Sequence, residues 1–355
     1  MKLKFRAVIA RGLRRALGML CQESHVLRLI VSVADKWGLK KRDGGRIKAP
    51  FVLKRGECSF QVLVYHRVNE GQDPIFGGVP LKVFKNQMEC LSEYFNVFPL
   101  EELVRGAKYK DIPPRAVAIT FDDGYLDNYE NAFPILKSLN LPATIFLATG
   151  AIDTNGFLWH DSLFDAFRRT RVKVTSIEGR DYPLRTAAER RAGVDAFRRY
   201  LRNCDHDQLD SLLATLRSAL RVRTPCVNRR RYLNWREVQE MSQSQITFGA
   251  HTVTHPLLTR ISLQEAGKEI VNSRDMIEKR LGSYTRLFAY PNGHREDFNE
   301  RIKRVLKEAG FVCAVTILPG NNDVYTDPYE LRRIPMWDSD PTMYALRLAG
   351  YKFFA

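Results

Sequence analysis

Two aspartates and two histidines are the residues of this chain best suited to chemistry. Asp122 and Asp123 adjoin in Ala118-Ile119-Thr120-Phe121-Asp122-Asp123-Gly124-Tyr125, and His251 and His255 stand four apart in Gly249-Ala250-His251-Thr252-Val253-Thr254-His255-Pro256. Adjacent carboxylates repel, so a cation that neutralises one leaves the other free to act as a base. Histidines at that spacing share a face on a helix or a strand, and with one carboxylate they make a three-ligand set with open positions for water and substrate. That combination suits metal-assisted hydrolysis. Each motif also has a plainer reading: Asp-Asp-Gly is an ordinary turn, and a lone His-x-x-x-His pair is commonly incidental.

The elements that must position these groups can be read from the surrounding pattern. Ala116 to Phe121 is a continuous apolar run that reads as a buried strand, and Gly124 lets the chain leave it. Pro256 disfavours helix at His255, which places the histidine pair on the loop after a strand over Ile246 to Ala250. Phe60 to His66, rich in β-branched and aromatic residues, is another strand and ends at a histidine. Further strands are expected over Ala143 to Leu147, Leu287 to Tyr290 and Val312 to Ile317. Helical patterns cover Phe84 to Phe95, Pro99 to Gly106, Asp127 to Ser138, Trp235 to Ser242, Leu263 to Leu281 and Glu296 to Ala309. This alternation indicates a largely parallel sheet with crossover helices. Residues 166–230 interrupt it with two Arg-rich helical stretches, Ala187 to Asn203 and Asp207 to Leu220. They read as an insertion whose basic stripe is either a solvated face or a surface for an anionic substrate. Trp159 and His160 follow the Ala143 to Leu147 strand and either wall the site or pack in the core. The stretch from Leu331 is short and aromatic and carries no pattern.

At 355 residues the chain suits one large α/β barrel with additions. Its formal charge is +16, yet residues 1–56 hold 15 Lys and Arg against 3 acids, a net +12, which leaves +4 for residues 57–355. The basic character therefore belongs to an N-terminal arm over residues 1–56. Within it Phe5, Ile9, Leu13 and Leu17 recur every four positions while Lys4, Arg6, Arg11, Arg14 and Arg15 fall largely elsewhere, the pattern of a basic amphipathic helix. Residues 3–42 either lie on an anionic membrane surface or cover apolar surface of the body. Asp43-Gly44-Gly45 and Pro50 mark a linker. Arg11, Arg14 and Arg15 break the one candidate export signal, and no run approaches the ~20 apolar residues of a spanning helix. Six scattered cysteines without a CxxC pair suggest neither a zinc ribbon nor a redox pair, so reduced thiols are expected. The expected location is the cytoplasm, peripheral on the inner membrane face.

Thr-Phe-Asp-Asp-Gly-Tyr followed by His-Thr-x-x-His-Pro, each after a predicted strand, resembles the polysaccharide deacetylase family over roughly residues 58–165 and 232–337. The resemblance implies a distorted (β/α) barrel and metal-dependent removal of N- or O-linked acyl groups from sugars. It makes Asp122 the general base, and Asp123, His251 and His255 the ligands of a divalent ion. Zinc is expected first, with cobalt, nickel or manganese as alternatives. Two departures stand out. The family's Arg-x-Pro-Tyr motif is Ala289-Tyr290-Pro291-Asn292-Gly293 here, so the Arg that orients the base is missing, with Arg332 and Arg333 as candidates to replace it. Asn292 then supplies the backbone N–H for the oxyanion, with Pro291 and Tyr125 also placed at the substrate side and Trp159 as a wall. The usual C-terminal acid histidine is also missing, as no histidine follows His294. A branch resembling the biofilm poly-glucosamine deacetylases carries that histidine on an early strand, which makes His66 the candidate acid.

The leading expectation is an N-deacetylase acting on an amino sugar of a cell-surface polysaccharide or its lipid-linked precursor. A deformylase of a lipid-linked amino sugar is the alternative within the same chemistry. A non-catalytic glycan-binding relative is the alternative outside it. The charge pattern does not favour nucleic acid, because the cations sit in one arm and no nucleic-acid motif accompanies them.

Overall fold

The computed structural model describes residues 59–70, 77–202, 204, 208–223 and 230–336. The expected basic arm and linker over residues 1–56 lie outside the described residues. Residues 59–335 form one compact unit.

Six apolar runs form the parallel strands β1 (Ser59–Tyr65), β2 (Ala116–Phe121), β3 (Ala143–Leu147), β4 (Ile246–Ala250), β5 (Leu287–Ala289) and β6 (Cys313–Val315). They lie in the order β6-β5-β4-β3-β2-β1. Every residue of β2 and β3 is buried, as expected for strands covered on both faces. Past β1 the sheet continues with the short β7 (Ile334–Pro335), parallel to β1, and an antiparallel pairing from Asn322–Asp323. Three residues before β7, Leu331 bridges to Val315 of β6. The segment Leu331 to Pro335 therefore touches both ends of the sheet and draws it into a distorted barrel. The stretch that shows no pattern in the sequence is the one that joins the two edges.

The helices depart from expectation where proline or a cap intervenes. Asp127 to Ser138 is not one helix: a π-helical turn over Asn128–Ala132 passes into an α-helix over Phe133–Ser138, with Pro134 in its first turn. Proline brings no N–H, so it is accommodated at that start and not inside a longer helix. Glu296 to Ala309 divides likewise into a 3₁₀ turn over Arg295–Asp297 and a helix over Glu300–Glu308, where the Asn299 side chain accepts from the N–H groups of Arg301 and Ile302.

Helix α1 (Trp159–Arg169) runs from the barrel into the insertion expected over residues 166–230, which includes α2 (Ala187–Arg202) and α3 (Leu209–Ala219). Between α1 and α2 lies a hairpin, Val174–Ile177 with Arg180–Pro183, turning at Glu178 and Gly179, which both have positive φ. Leu163, Phe167, Leu184, Phe197, Leu213 and Leu220 share one buried cluster, so the insertion has its own core. Among the described residues no helix is long and apolar enough to cross a membrane. Of the cysteines described, Cys90, Cys204 and Cys313 are unbridged.

Candidate active site

Strand register brings the site together. Tyr65 pairs with Phe121, so the next residues on the two strands, His66 and Asp122, leave the sheet side by side. The Asp122 N–H donates to the Tyr65 carbonyl at 3.1 Å, and His66 Nε2 stands 3.9 Å from Asp122 Oδ2. Leu147 pairs with Ala250 two strands on, and the His251 N–H donates to the Leu147 carbonyl at 3.0 Å. The candidate residues thus gather at the C-terminal ends of neighbouring parallel strands, where loops of α/β barrels carry function.

Asp122 is 2% exposed, and both of its oxygens accept from Arg333, Nη1 to Oδ1 at 2.7 Å and Nη2 to Oδ2 at 2.6 Å. Arg333 is fully buried, and its Nε also donates to the Thr316 carbonyl at 2.6 Å. Burial acts to raise the Asp122 pKa, but the charge and hydrogen bonds of Arg333 outweigh it and hold the group below the ordinary carboxylate range. Of the two candidates for the missing orienting arginine, Arg333 occupies that place. The Arg332 side chain lies against Gly320 instead.

Asp123 turns the other way. Its φ of 72° is left-handed, as is that of Gly124 at 74°. A Cβ on Gly124 would come within 2.7 Å of the Leu147 side chain, so this turn needs glycine for space as well as conformation. Asp123 Oδ1 lies 3.5 Å from His251 Nε2 and 3.5 Å from His255 Nε2, and it is buried with no hydrogen-bond partner. The three ligand atoms lie within 4.8 Å of one another. Ligands about 2.1 Å from a tetrahedral ion sit about 3.4 Å apart, so the spacing fits a small divalent cation. The Nδ1 atom of His251 pairs with the Ala289 carbonyl at 2.7 Å, which leaves Nε2 with its lone pair facing Asp123. Burial drives the His255 pKa well down, and the neighbouring imidazoles His160 and His251 add to it. Burial acts to raise the Asp123 pKa, but the surrounding imidazoles His251, His160 and His255 outweigh it and hold the group well below the usual range. A neutral imidazole and an ionised carboxylate are the forms that bind metals. Thr252, His255 and Asn292 also have positive φ, at 66°, 60° and 59°, so left-handed backbone concentrates around this site.

The remaining sequence-predicted residues are placed less simply. Trp159 is buried, and its Nε1 donates to the His255 carbonyl at 3.0 Å. Tyr125 is fully buried, its ring stacked on Tyr232 and its hydroxyl donating to Asp161 Oδ1 at 3.1 Å. Both side chains brace the site from behind, the core alternative for Trp159. Pro291 and Asn292 lie in the turn after β5, where the Gly293 N–H donates to the Pro291 carbonyl at 2.7 Å. His160, paired with Trp159 in the sequence reading, stands 3.7 Å from Asp123 Oδ2 and 3.1 Å from the Tyr125 hydroxyl. Asp161 and Tyr232, whose hydroxyl donates to Asp161 Oδ2, complete this cluster and were not foreseen. Their signal is only the adjacency of Asp161 to the Trp159-His160 pair.

A family profile described as polysaccharide deacetylase matches residues 109–314, more than half of the chain. The chain belongs to the polysaccharide deacetylase family. A Bacillus subtilis relative named for the same family, YxkH, is 22% identical over 275 residues, covering 77% of this chain and 70% of that protein. The poly-beta-1,6-N-acetyl-D-glucosamine N-deacetylase of Staphylococcus epidermidis is 33% identical over 120 residues, which cover 30% of this chain. That match spans 41% of the staphylococcal protein's length. Among solved structures, the Streptococcus pyogenes deacetylase PplD in complex with acetate superposes with a TM-score of 0.57 at 20% identity, covering 83% of this chain and 98% of that one. IcaB from Ammonifex degensii follows at 0.54 and 18%, covering 82% and 96%. The fold is the distorted (β/α) barrel of the deacetylase family.

Proposed function

We propose that the protein is a metal-dependent N-deacetylase acting on an amino sugar of a cell-surface polysaccharide or its lipid-linked precursor. The observation that carries this reading is the division of labour between adjacent carboxylates. Asp123 presents an unpartnered oxygen to two imidazoles, while Asp122 is clamped by Arg333 and points elsewhere. Asp123, His251 and His255 would hold the ion, with zinc as the first expectation. A divalent ion bound there would polarise the acyl carbonyl and lower the pKa of a bound water.

The protein's own groups carry the remaining work. Asp122 accepts the proton of the attacking water, and the Arg333 fork fixes the direction from which it does so. His66 is 34% exposed at its side chain, against 2% for His251 and 6% for His255, so it is the imidazole of the group that reaches the open side. From there it donates a proton to the leaving amine. The Gly293 N–H is already used within its turn, so the Asn292 N–H is the donor left to meet the developing oxyanion.

Acetate release from N-acetylated amino-sugar oligosaccharides, measured together with metal content, tests this reading. Turnover is expected to require the ion and Asp122. Acetate release that survives exhaustive chelation, or Asp122→Asn, overturns it.

A further inference from the structure

The insertion encloses a cavity that the reaction centre does not use. Alternate residues of a strand share a face, so in the hairpin Arg180 and Tyr182 stand on the same side. They lie opposite Ile177 and Thr175, which are buried, so this is the side that the hairpin turns inward. Ala196 and Arg199 are three apart on α2 and likewise share a side. These four residues and Glu178 of the hairpin turn line a cavity of about 360 Å³, within the roughly 300–1,000 Å³ of small-ligand sites. Ala196 ends in a methyl group, which leaves that space unfilled.

The polar groups around it have no partners within the chain. Other arginines of the insertion are committed: Arg168 and Arg169 pair with Asp165, and Arg230 with Glu237. Among the described residues, the side chains of Arg180 and Arg199 and the Tyr182 hydroxyl make no such bond, and Glu178 pairs with neither arginine. Both arginines are exposed, so a ligand can reach them. A guanidinium fork matches carboxylate and phosphate geometry, while a carboxylate and a phenol can hydrogen-bond the hydroxyls of a sugar. Residues 166–230 contain 16 Lys and Arg against 7 Asp and Glu, a net +9, and such a surround draws anions toward the cavity.

We propose that this cavity binds an anionic sugar unit, with Arg180 and Arg199 on its carboxylate or phosphate and Glu178 and Tyr182 on its hydroxyls. None of the lining residues belongs to the reaction centre, so this is a second carbohydrate site, and it does not rest on the deacetylase reading. The test is calorimetric titration of the full-length protein with glucuronate, glucose 1-phosphate, glucose and inorganic phosphate. The two anionic sugars separate carboxylate from phosphate recognition. At least one of them is expected to bind about tenfold more tightly than glucose, the scale of a charge-assisted hydrogen bond, and more tightly than inorganic phosphate. Arg199→Glu abolishes that preference, and Arg199→Gln and Arg180→Gln reduce it. Arg171→Glu makes the same charge change at an exposed arginine outside the cavity and leaves the preference intact. Anionic sugars that bind no better than glucose, or no better than inorganic phosphate, overturn the site. An equal loss in Arg199→Glu and Arg171→Glu assigns the effect to net charge and overturns it too, as does a preference unchanged in Arg199→Glu. Acetate release measured in parallel keeps the two readings apart. A protein that shows this binding pattern without turnover loses the deacetylase reading and keeps the site, and one that turns over without the pattern loses the site alone.

Discussion

The barrel rim and the insertion hold their charged side chains in opposite ways. At the rim, strand register fixes the backbone, left-handed residues turn the side chains inward, and the groups are buried almost to exclusion of solvent. In the insertion, helices packed on a separate apolar core present arginines from their surfaces. The difference teaches where tolerance lies. A rim residue is coupled to a buried partner of opposite charge, so changing it leaves a charge stranded, whereas an exposed insertion arginine such as Arg199 can change with little consequence for folding.

The largest effect expected from breaking the rim separates its two carboxylates. Asp122→Asn should lower kcat by about a thousandfold, within the range for loss of a general base, while metal content by elemental analysis stays at the wild-type level. Asp123→Asn should instead lose the metal. Equal metal loss in both variants would erase the distinction between them.

Next in size is the buried pair itself. Arg333→Leu leaves Asp122 ionised in the interior without a counter-charge, which costs about 3–5 kcal/mol and is read as a lower urea midpoint at unchanged slope. The sign with pH follows from the direction of the Asp122 shift. A carboxylate depressed in the folded state contributes its full stability above the ordinary aspartate pKa near about 4 and loses it as pH falls through the depressed value. The gap between wild type and Arg333→Leu should therefore hold through neutral pH and narrow only in acid. A gap that closes on going from acid to neutral would contradict the pairing.

These two residues also mark what was legible in the sequence and what was not. Asp122 ends a run of apolar residues whose strand, Ala116–Phe121, matches its expected bounds, as do Ala143–Leu147 and Ile246–Ala250. Strands buried on both faces need an unbroken apolar run, and that signal is local. Arg333 lies 211 residues from its partner, in a segment whose only regular structure is the two-residue β7. A single long-range pairing leaves no periodicity to read, so the sequence could nominate Arg332 and Arg333 but could not choose. The hairpin of the insertion was missed for another reason. Its first strand turns Val174 outward and Thr175 inward, which blurs the apolar–polar alternation, and the stretch lies among Arg-rich helices, although the Glu178-Gly179 turn was there to be read.

A smaller and oppositely signed effect comes from Asp127, at the base of the same loop. Burial raises its pKa to about 6, against the opposing pull of Arg67, whose Nε donates to Oδ2 at 2.9 Å. A carboxyl that holds its proton more tightly when folded favours the native state in acid, so stability falls as pH rises from about 4 to about 6. The shift corresponds to at most roughly 3 kcal/mol. Urea titrations of the wild type and Asp127→Asn across that window should differ by this slope. Parallel curves would show that Arg67 neutralises the burial in full.

The smallest expected effect tests the joint between the two regions. Helix α1 belongs to both: Leu163 and Phe167 sit in the insertion core, while Trp159 bonds the His255 carbonyl and His160 faces Asp123. The Tyr125 hydroxyl donates to Asp161, and His160 Nε2 lies 3.1 Å from that hydroxyl and 3.7 Å from Asp123 Oδ2. An imidazole held this way would orient the carboxylate proposed as a ligand without itself binding the ion, and loss of such a partner weakens metal affinity by about 10–100-fold. His160→Leu should therefore raise the metal dissociation constant by about tenfold, while His160→Gln, whose amide can still donate, retains most of the affinity. If both variants bind metal as the wild type does, the insertion does not act through α1 on the ligand set.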